Sequence, residues 1–156
     1  MKDMLFEAPR GVTEIEVSHG FAQVQTHLGG QDLAATRLQV LKLLADSNIS
    51  HKYLQLTPEG LAFVIRDAQV VPAIEVLSAA GFKFELHEGR SIILVKAPGI
   101  WEEKGMIASV MEAAIASGVE VDHVGDMHDR MYMVVRGEVA EDTAAKFRRQ
   151  VFGSKP

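Results

Sequence analysis

No cysteine occurs in the 156 residues. That absence excludes disulfides, thiolate metal sites and thiol nucleophiles, and it fits a reducing compartment. No apolar run approaches the ~18 residues that span a bilayer, and the opening "MKDMLFEAPRG" lacks the apolar core of a signal peptide. A cytoplasmic location is the expectation. An excess of one charge is also missing, since 16 Lys and Arg stand against 21 Asp and Glu for a net charge of -5. The basic residues are dispersed, which leaves neither an electrostatic footprint for nucleic acid nor a polybasic face for a membrane. Neither partner is expected. There is no G-x-x-x-x-G-K-[ST] phosphate loop and no serine in a nucleophile elbow, and "GFAQVQTHLGG" is not a dinucleotide fingerprint. No catalytic machinery and no cofactor are expected. What is present is an apolar fraction of 47%, enough to bury a core in one domain or two small ones.

One stretch is dense in chemistry. "GVEVDHVGDMHDRMYMVV" (118–135) packs Asp122, Asp126 and Asp129 with His123 and His128. Imidazole and carboxylate are ligands for zinc, iron and manganese, so a metal-dependent enzyme built on Asp122, His123 and His128 is one reading. Strand alternation opposes it. Val119, Val121 and His123 fall on one face of a strand, Glu120, Asp122 and Val124 on the other, and "GDMHD" forms the connecting turn. Asp122 and His123 then point apart, whereas coordination needs convergent ligands. Asp126 and Asp129 read as turn residues, and Met127, Met131 and Met133 as core. "KFRRQ" (146–150) reads as a solvated helix face.

Shifted by seventy residues, the chain matches itself. "QVLKLLADSNI" (39–49) falls on "SVMEAAIASGV" (109–119), and "LAFVIR" (61–66) on "MYMVVR" (131–136), with Val40, Ser47, Val64 and Arg66 meeting identical residues. In the first copy "VTEIEV" (12–17) alternates, "SHG" reads as a turn, and "FAQVQTHL" (21–28) reads as a second strand ending at Gly29 and Gly30. A helix follows with Asp32 as N-cap and Asn48 near its end. "ISHKYLQL" and "LAFVIR" flank the turn "TPEG" as a hairpin, and Asp67, Pro72 and Gly81 bracket a second helix. Residues 82–152 repeat the order: strands 82–87 and 91–98, a helix at 105–117, a hairpin at 119–135 and a helix at 139–150.

A split βαβ fold needs strand, helix, strand, strand, helix, strand. Residues 21–87 supply all six, whereas the second copy lacks its last strand and strand 12–17 is spare. The expected fold is therefore α+β, with two ferredoxin-like βαββαβ units side by side. The first unit is 18–88, the second is 89–156 completed by strand 12–17, and 1–11 is an extension.

This element order resembles the tandem ACT regulatory region of aspartate kinases. "GVTEIEVSHGFAQVQTHLGGQD" is similar to the family's opening strands and effector loop, "LLADSNIS" to its helix end and next strand, and "GMIASVMEAAIASGVEVDHV" to the second copy. The resemblance covers roughly residues 11–153. It implies an allosteric sensor of a free amino acid, as a regulatory subunit, an excised regulatory region or a stand-alone protein, with a catalytic kinase subunit as a partner; a homodimer is the default expectation for a soluble oligomer. Loop 29–36, "GGQDLAAT", including Gly30 and Gln31, runs into a helix N-terminus, which favours a carboxylate. Carried over by position, the family's effector contacts fall on Asp32 for the ammonium, on the Ala35 and Thr36 N–H groups for the carboxylate, on Gln55, and on Glu120 with Val121 across the interface. Trp101 beside Glu102 in the second loop is a candidate to close over a ligand. The family's Pro-Gly at these helix starts is Ala34-Ala35 and Lys104-Gly105 here, so no particular effector follows. A structural or oligomerisation subunit is the competing reading.

Overall fold

The computed structural model describes residues 11–99, 105–116, 118 and 120–152. Its elements are β1 (Glu14–His27), α1 (Leu33–Asp46), β2 (Lys52–Thr57), β3 (Gly60–Arg66), α2 (Val70–Ala79), β4 (Lys83–Lys96), α3 (Met106–Ala116), β5 (His123–Met127), β6 (Arg130–Arg136) and α4 (Gly137–Phe152). Local chemistry explains the boundaries. The Asp32 side chain accepts a bond from Ala35 N–H at 3.0 Å, which starts α1. Asn48 ends it in the left-handed region (φ 54), so that Ile49 N–H donates back to Leu44 at 2.9 Å. In the β2–β3 hairpin Thr57 pairs with Gly60, leaving Pro58 and Glu59 as a two-residue turn, and Gly60 N–H bonds the Thr57 hydroxyl at 3.0 Å.

The structure corrects two of the expected turns. "SHG" does not reverse the chain: residues 12–17 and 21–28 are largely one strand, β1, and 82–87 and 91–98 are largely one strand, β4. Gly20 (φ 87) and Gly89 (φ 63) take left-handed conformations inside these strands. Such a glycine within a continuing ladder re-aims a strand without ending it, and in sequence it looks the same as a turn. The second hairpin is also shorter than expected. It starts at His123, and Gly125, Asp126 and Met127 belong to β5, which leaves His128 and Asp129 as the turn. Glu120 and Asp122 therefore lie before the strand.

By internal contacts the chain divides into two units. One is His19–Arg90, and the other joins the stretch ending at Ser18 to the stretch beginning at Ser91. In the first the strand order is β2-β3-β1-β4, and its core gathers Val24, Phe63 and Ile65 with Leu44 of α1 and Leu77 of α2. In the second the order is β1-β4-β6-β5, and Ile15, Ile93, Val95, Met131 and Met133 pack with Val110 of α3 and Phe147 of α4. The N-terminal half of β1 is tied to this second unit by polar bonds too. Thr13 N–H donates to Lys96 O at 2.8 Å, the Lys96 ammonium reaches Glu16 at 3.0 Å and Glu14 at 3.2 Å, and Arg148 donates to Ile15 O at 2.8 Å. The mutual hydrogen bond raises the Lys96 pKa and lowers that of Glu16.

Two side-chain expectations are corrected as well. Met131 and Met133 are core, but Met127 is 40% exposed, because it sits at the end of β5 next to the turn. "KFRRQ" is not a solvated face throughout. Phe147 is fully buried, and Arg148 is committed to the β1 backbone.

Candidate functional site

β1 ends at His27, and Leu28 N–H then donates to Glu59 O at 2.7 Å, which fastens the strand end to the β2–β3 turn. On the other side of that turn the Arg37 guanidinium of α1 donates to Gly60 O at 3.0 Å and Thr57 O at 2.5 Å. The exposed loop 29–31 is thus held between two fixed points. Gly30 passes through φ 128, which side-chain-bearing residues rarely adopt, and Asp32 opens α1. Around this helix start lies a cleft of about 880 Å³, walled by Leu28, Gly29, Gly30, Leu33 and Thr36 on one side. His27, the turn residues Pro58 and Glu59, and Ala80 to Lys83 complete it.

The cleft holds charge of both signs. His27 Nδ1 lies 2.5 Å from a Glu59 oxygen and Nε2 3.5 Å from Glu85, whose other oxygen is 3.7 Å from His87. Lys83 stands on the rim. Asp32 caps with its carboxylate on Ala35 N–H, while Thr36 N–H and the Thr36 hydroxyl both donate to Asp32 O, at 3.1 and 2.8 Å. That leaves Leu33 and Ala34 as the first-turn N–H groups with no intrahelical acceptor.

Of the residues singled out by sequence, Gly30 and Thr36 line this cleft, and Gln31, Asp32 and Ala35 sit exposed on the same loop and first turn. Gln55 does not line it; its side chain is exposed on β2, beyond an irregularity in the β2–β3 register where Tyr53 adopts φ 55. Trp101 and Glu102 lie outside the described residues. Glu120 belongs to the other unit, where it lines a separate cleft with Arg136, and Val121 packs against that unit's own core. His27, Glu59 and Lys83 were not singled out from sequence. Their signal is topological: in a βαββαβ unit the end of the first strand, the central hairpin turn and the start of the last strand come to one end.

The acidic and histidine stretch resolves differently. His123 is buried (4% exposed) with Nε2 3.2 Å from the Tyr132 hydroxyl, whereas Asp122 is exposed and His128 is in the turn. Gly125 carries the Tyr132 ring, since a Cβ there would come within 2.6 Å of three of its atoms. Among the described residues no three His, Asp or Glu side chains form a cluster that could hold a metal.

Burial pushes the His123 imidazole below its ordinary pKa range. The folded ring therefore stays neutral where the unfolded chain, with an imidazole near about 6.5, takes up a proton. Because the unfolded state then binds more protons, stability is complete above about pH 6.5 and falls as the pH drops toward the folded-state value. His123→Phe is expected to flatten the urea midpoint across this window relative to the parent chain. An unchanged slope would show that the proton is not excluded.

The architecture is α+β, of two ferredoxin-like units. By sequence, no protein-family model and no curated protein matches the chain. By structure, the regulatory subunit of aspartate kinase from Thermus thermophilus matches with a TM-score of 0.80 at 19% identity, over 92% of this chain and 99% of that one. The aspartokinase alpha and beta subunits match at 0.80 and 16% identity, over 91% and 99%. E. coli aspartokinase III, solved with aspartate and ADP, matches at 0.80 and 16% identity over 94% of this chain but 35% of its own length. The chain has the fold of aspartate kinase regulatory domains.

Proposed function

We propose that the chain is an amino-acid-binding allosteric regulatory protein of the aspartate kinase type, acting as a cytoplasmic homodimer on a catalytic kinase subunit. The observation that carries this reading is the cleft of about 880 Å³ at the α1 N-terminus, in a chain with the fold of solved regulatory subunits along nearly its whole length. The helix start attracts a carboxylate, and Glu59 on the cleft wall attracts an ammonium. E. coli aspartokinase III, of similar fold, has been solved with lysine and aspartate in a T-state, which supports an amino-acid effector here. Gly30, Gln31, Asp32, Ala35, Thr36 and Gln55 are the proposed contacts, with Glu120 and Val121 across an interface. Occupancy would then be transmitted through a coupling of about 1–3 kcal/mol between sites.

Isothermal titration against the common amino acids, read beside thermal unfolding, tests the proposal. A native-state binder at about a hundred times its Kd raises stability by about 2.7 kcal/mol. Failure of every amino acid to bind or stabilise at millimolar concentration would discard the reading in favour of a purely structural subunit. One observation favours that second reading: the Ala35 and Thr36 N–H groups are already bonded to Asp32, so a ligand carboxylate must displace the cap or use Leu33 and Ala34.

A further inference from the structure

The two copies of the repeat treat one arginine differently. Arg66 ends β3, and its guanidinium lies 5.3 Å from the centroid of the buried Phe21 ring, which also carries Lys52 at 5.6 Å. Seventy residues on, Arg136 ends β6, but the position corresponding to Phe21 is Ser91. There Arg136 lines a cleft of about 310 Å³ together with Glu120 and, from α4, Val139, Asp142, Thr143 and Lys146.

We propose that this cleft is a binding site for a small zwitterionic carboxylate of the α-amino acid class, with Arg136 as its carboxylate receptor. Arg136 approaches Glu120 at 3.5 Å and Glu138 at 3.9 Å, both longer than a hydrogen bond, and it is 56% exposed. Its planar fork is therefore open to bidentate pairing with an incoming carboxylate. The exposed Arg136–Glu120 and Lys146–Asp142 pairs contribute little stability, so separating them for a ligand costs little.

The charge balance selects the ligand class. Arg136 and Lys146 repel a simple cation, Glu120 and Asp142 repel a simple anion, and a molecule with an ammonium beside a carboxylate satisfies both sets. Val139 gives the rim an apolar side, and the floor at Thr143 is 4% exposed. The cleft is also of a size to enclose a small amino acid rather than a peptide. It lies within the unit that contains Ser91 onward, whereas loop 29–36 lies in the other. The two sites share only Glu120 as a proposed contact, so the inference stands without the loop reading, and its test avoids that residue.

The experiment is amide chemical-shift mapping of the full chain with each common amino acid, and with acetate and methylammonium as half-ligands. Saturable shifts are expected at residues 136–146 for at least one amino acid, with both half-ligands binding at least about tenfold more weakly, a difference of about 1.4 kcal/mol. Arg136→Ala is expected to abolish the shifts, Arg136→Lys to restore them partly, and the repeat counterpart Arg66→Ala to leave them intact. Circular dichroism confirms that these variants fold. Shifts confined to loop 29–36, equal binding of acetate, or full binding by Arg136→Ala would each overturn the site.

Discussion

A fragment of residues 91–156 is expected not to fold on its own, and to recover a cooperative unfolding transition when residues 11–18 are fused to its N-terminus. The reason is the half-strand it lacks. Ile15 is 5% exposed and belongs to the same core as Ile93, Met133 and Phe147. Removing the strand uncovers that core, strips the ladder from β4 and leaves Arg148 without its acceptor. Burying one isoleucine stabilises by about 1.5–3 kcal/mol, and each lost backbone bond costs about 1 kcal/mol more. A domain of this size holds only about 3–5 kcal/mol in total. Thr13 N–H donates to Lys96 O and β1 neighbours β4, so a glycine linker is used to join residue 18 to residue 91 in the fusion. Circular dichroism with urea titration reads the result. A cooperative transition from 91–156 alone would refute the dependence on β1.

Gly60→Ala is expected to destabilise the protein by about 3 kcal/mol, lowering Tm by roughly 6–12 °C for a chain of this length. A Cβ at Gly60 would lie 2.6 Å from the Thr26 hydroxyl, 2.7 Å from the Thr26 carbonyl oxygen and 3.0 Å from Leu28. The carbonyl is backbone and cannot rotate away. The Thr26 hydroxyl is also engaged, accepting from Leu61 N–H at 2.8 Å and donating to Leu61 O at 3.1 Å within a buried strand pair. Relief must therefore push β3 from β1 or break these bonds. The same shift would carry the Thr57 and Gly60 carbonyls away from Arg37 and so loosen the turn that walls the proposed effector cleft. Gly29→Ala is the control: nothing lies within 4 Å of its Cβ position, and its effect should stay within about 0.5 kcal/mol. Equal loss in both variants would show that the steric argument at Gly60 is wrong.

Much of the fold was legible because its determinants are local. Asp32 caps α1, "TPEG" turns the hairpin, and Gly81 ends α2 because these residues satisfy backbone groups a few positions away. Arg66 and Arg136, seventy residues apart in sequence, end β3 and β6. The glycine at 20 was misread for the same local reason. A left-handed glycine signals a change of direction, but whether the chain reverses or runs on depends on partners far away in sequence. Within the candidate site, loop 29–36 could be found because glycines and a cap mark it. His27 and Glu59 could not, since their contact joins residues 32 positions apart.

The sequence by itself determined the helices, the first hairpin, the α+β class and the exclusion of thiol chemistry, because periodicity, caps and composition act over a few residues. Only the tertiary structure decided that β1 and β4 are continuous, that His123 turns inward onto Tyr132, and that Arg136 opens on a cleft while Arg66 stacks on Phe21. Those outcomes depend on which strands meet and what each side chain then faces, and the partners lie outside the local turn or cap, as with His123 and Tyr132 across a hairpin or Phe21 and Arg66 across two strands.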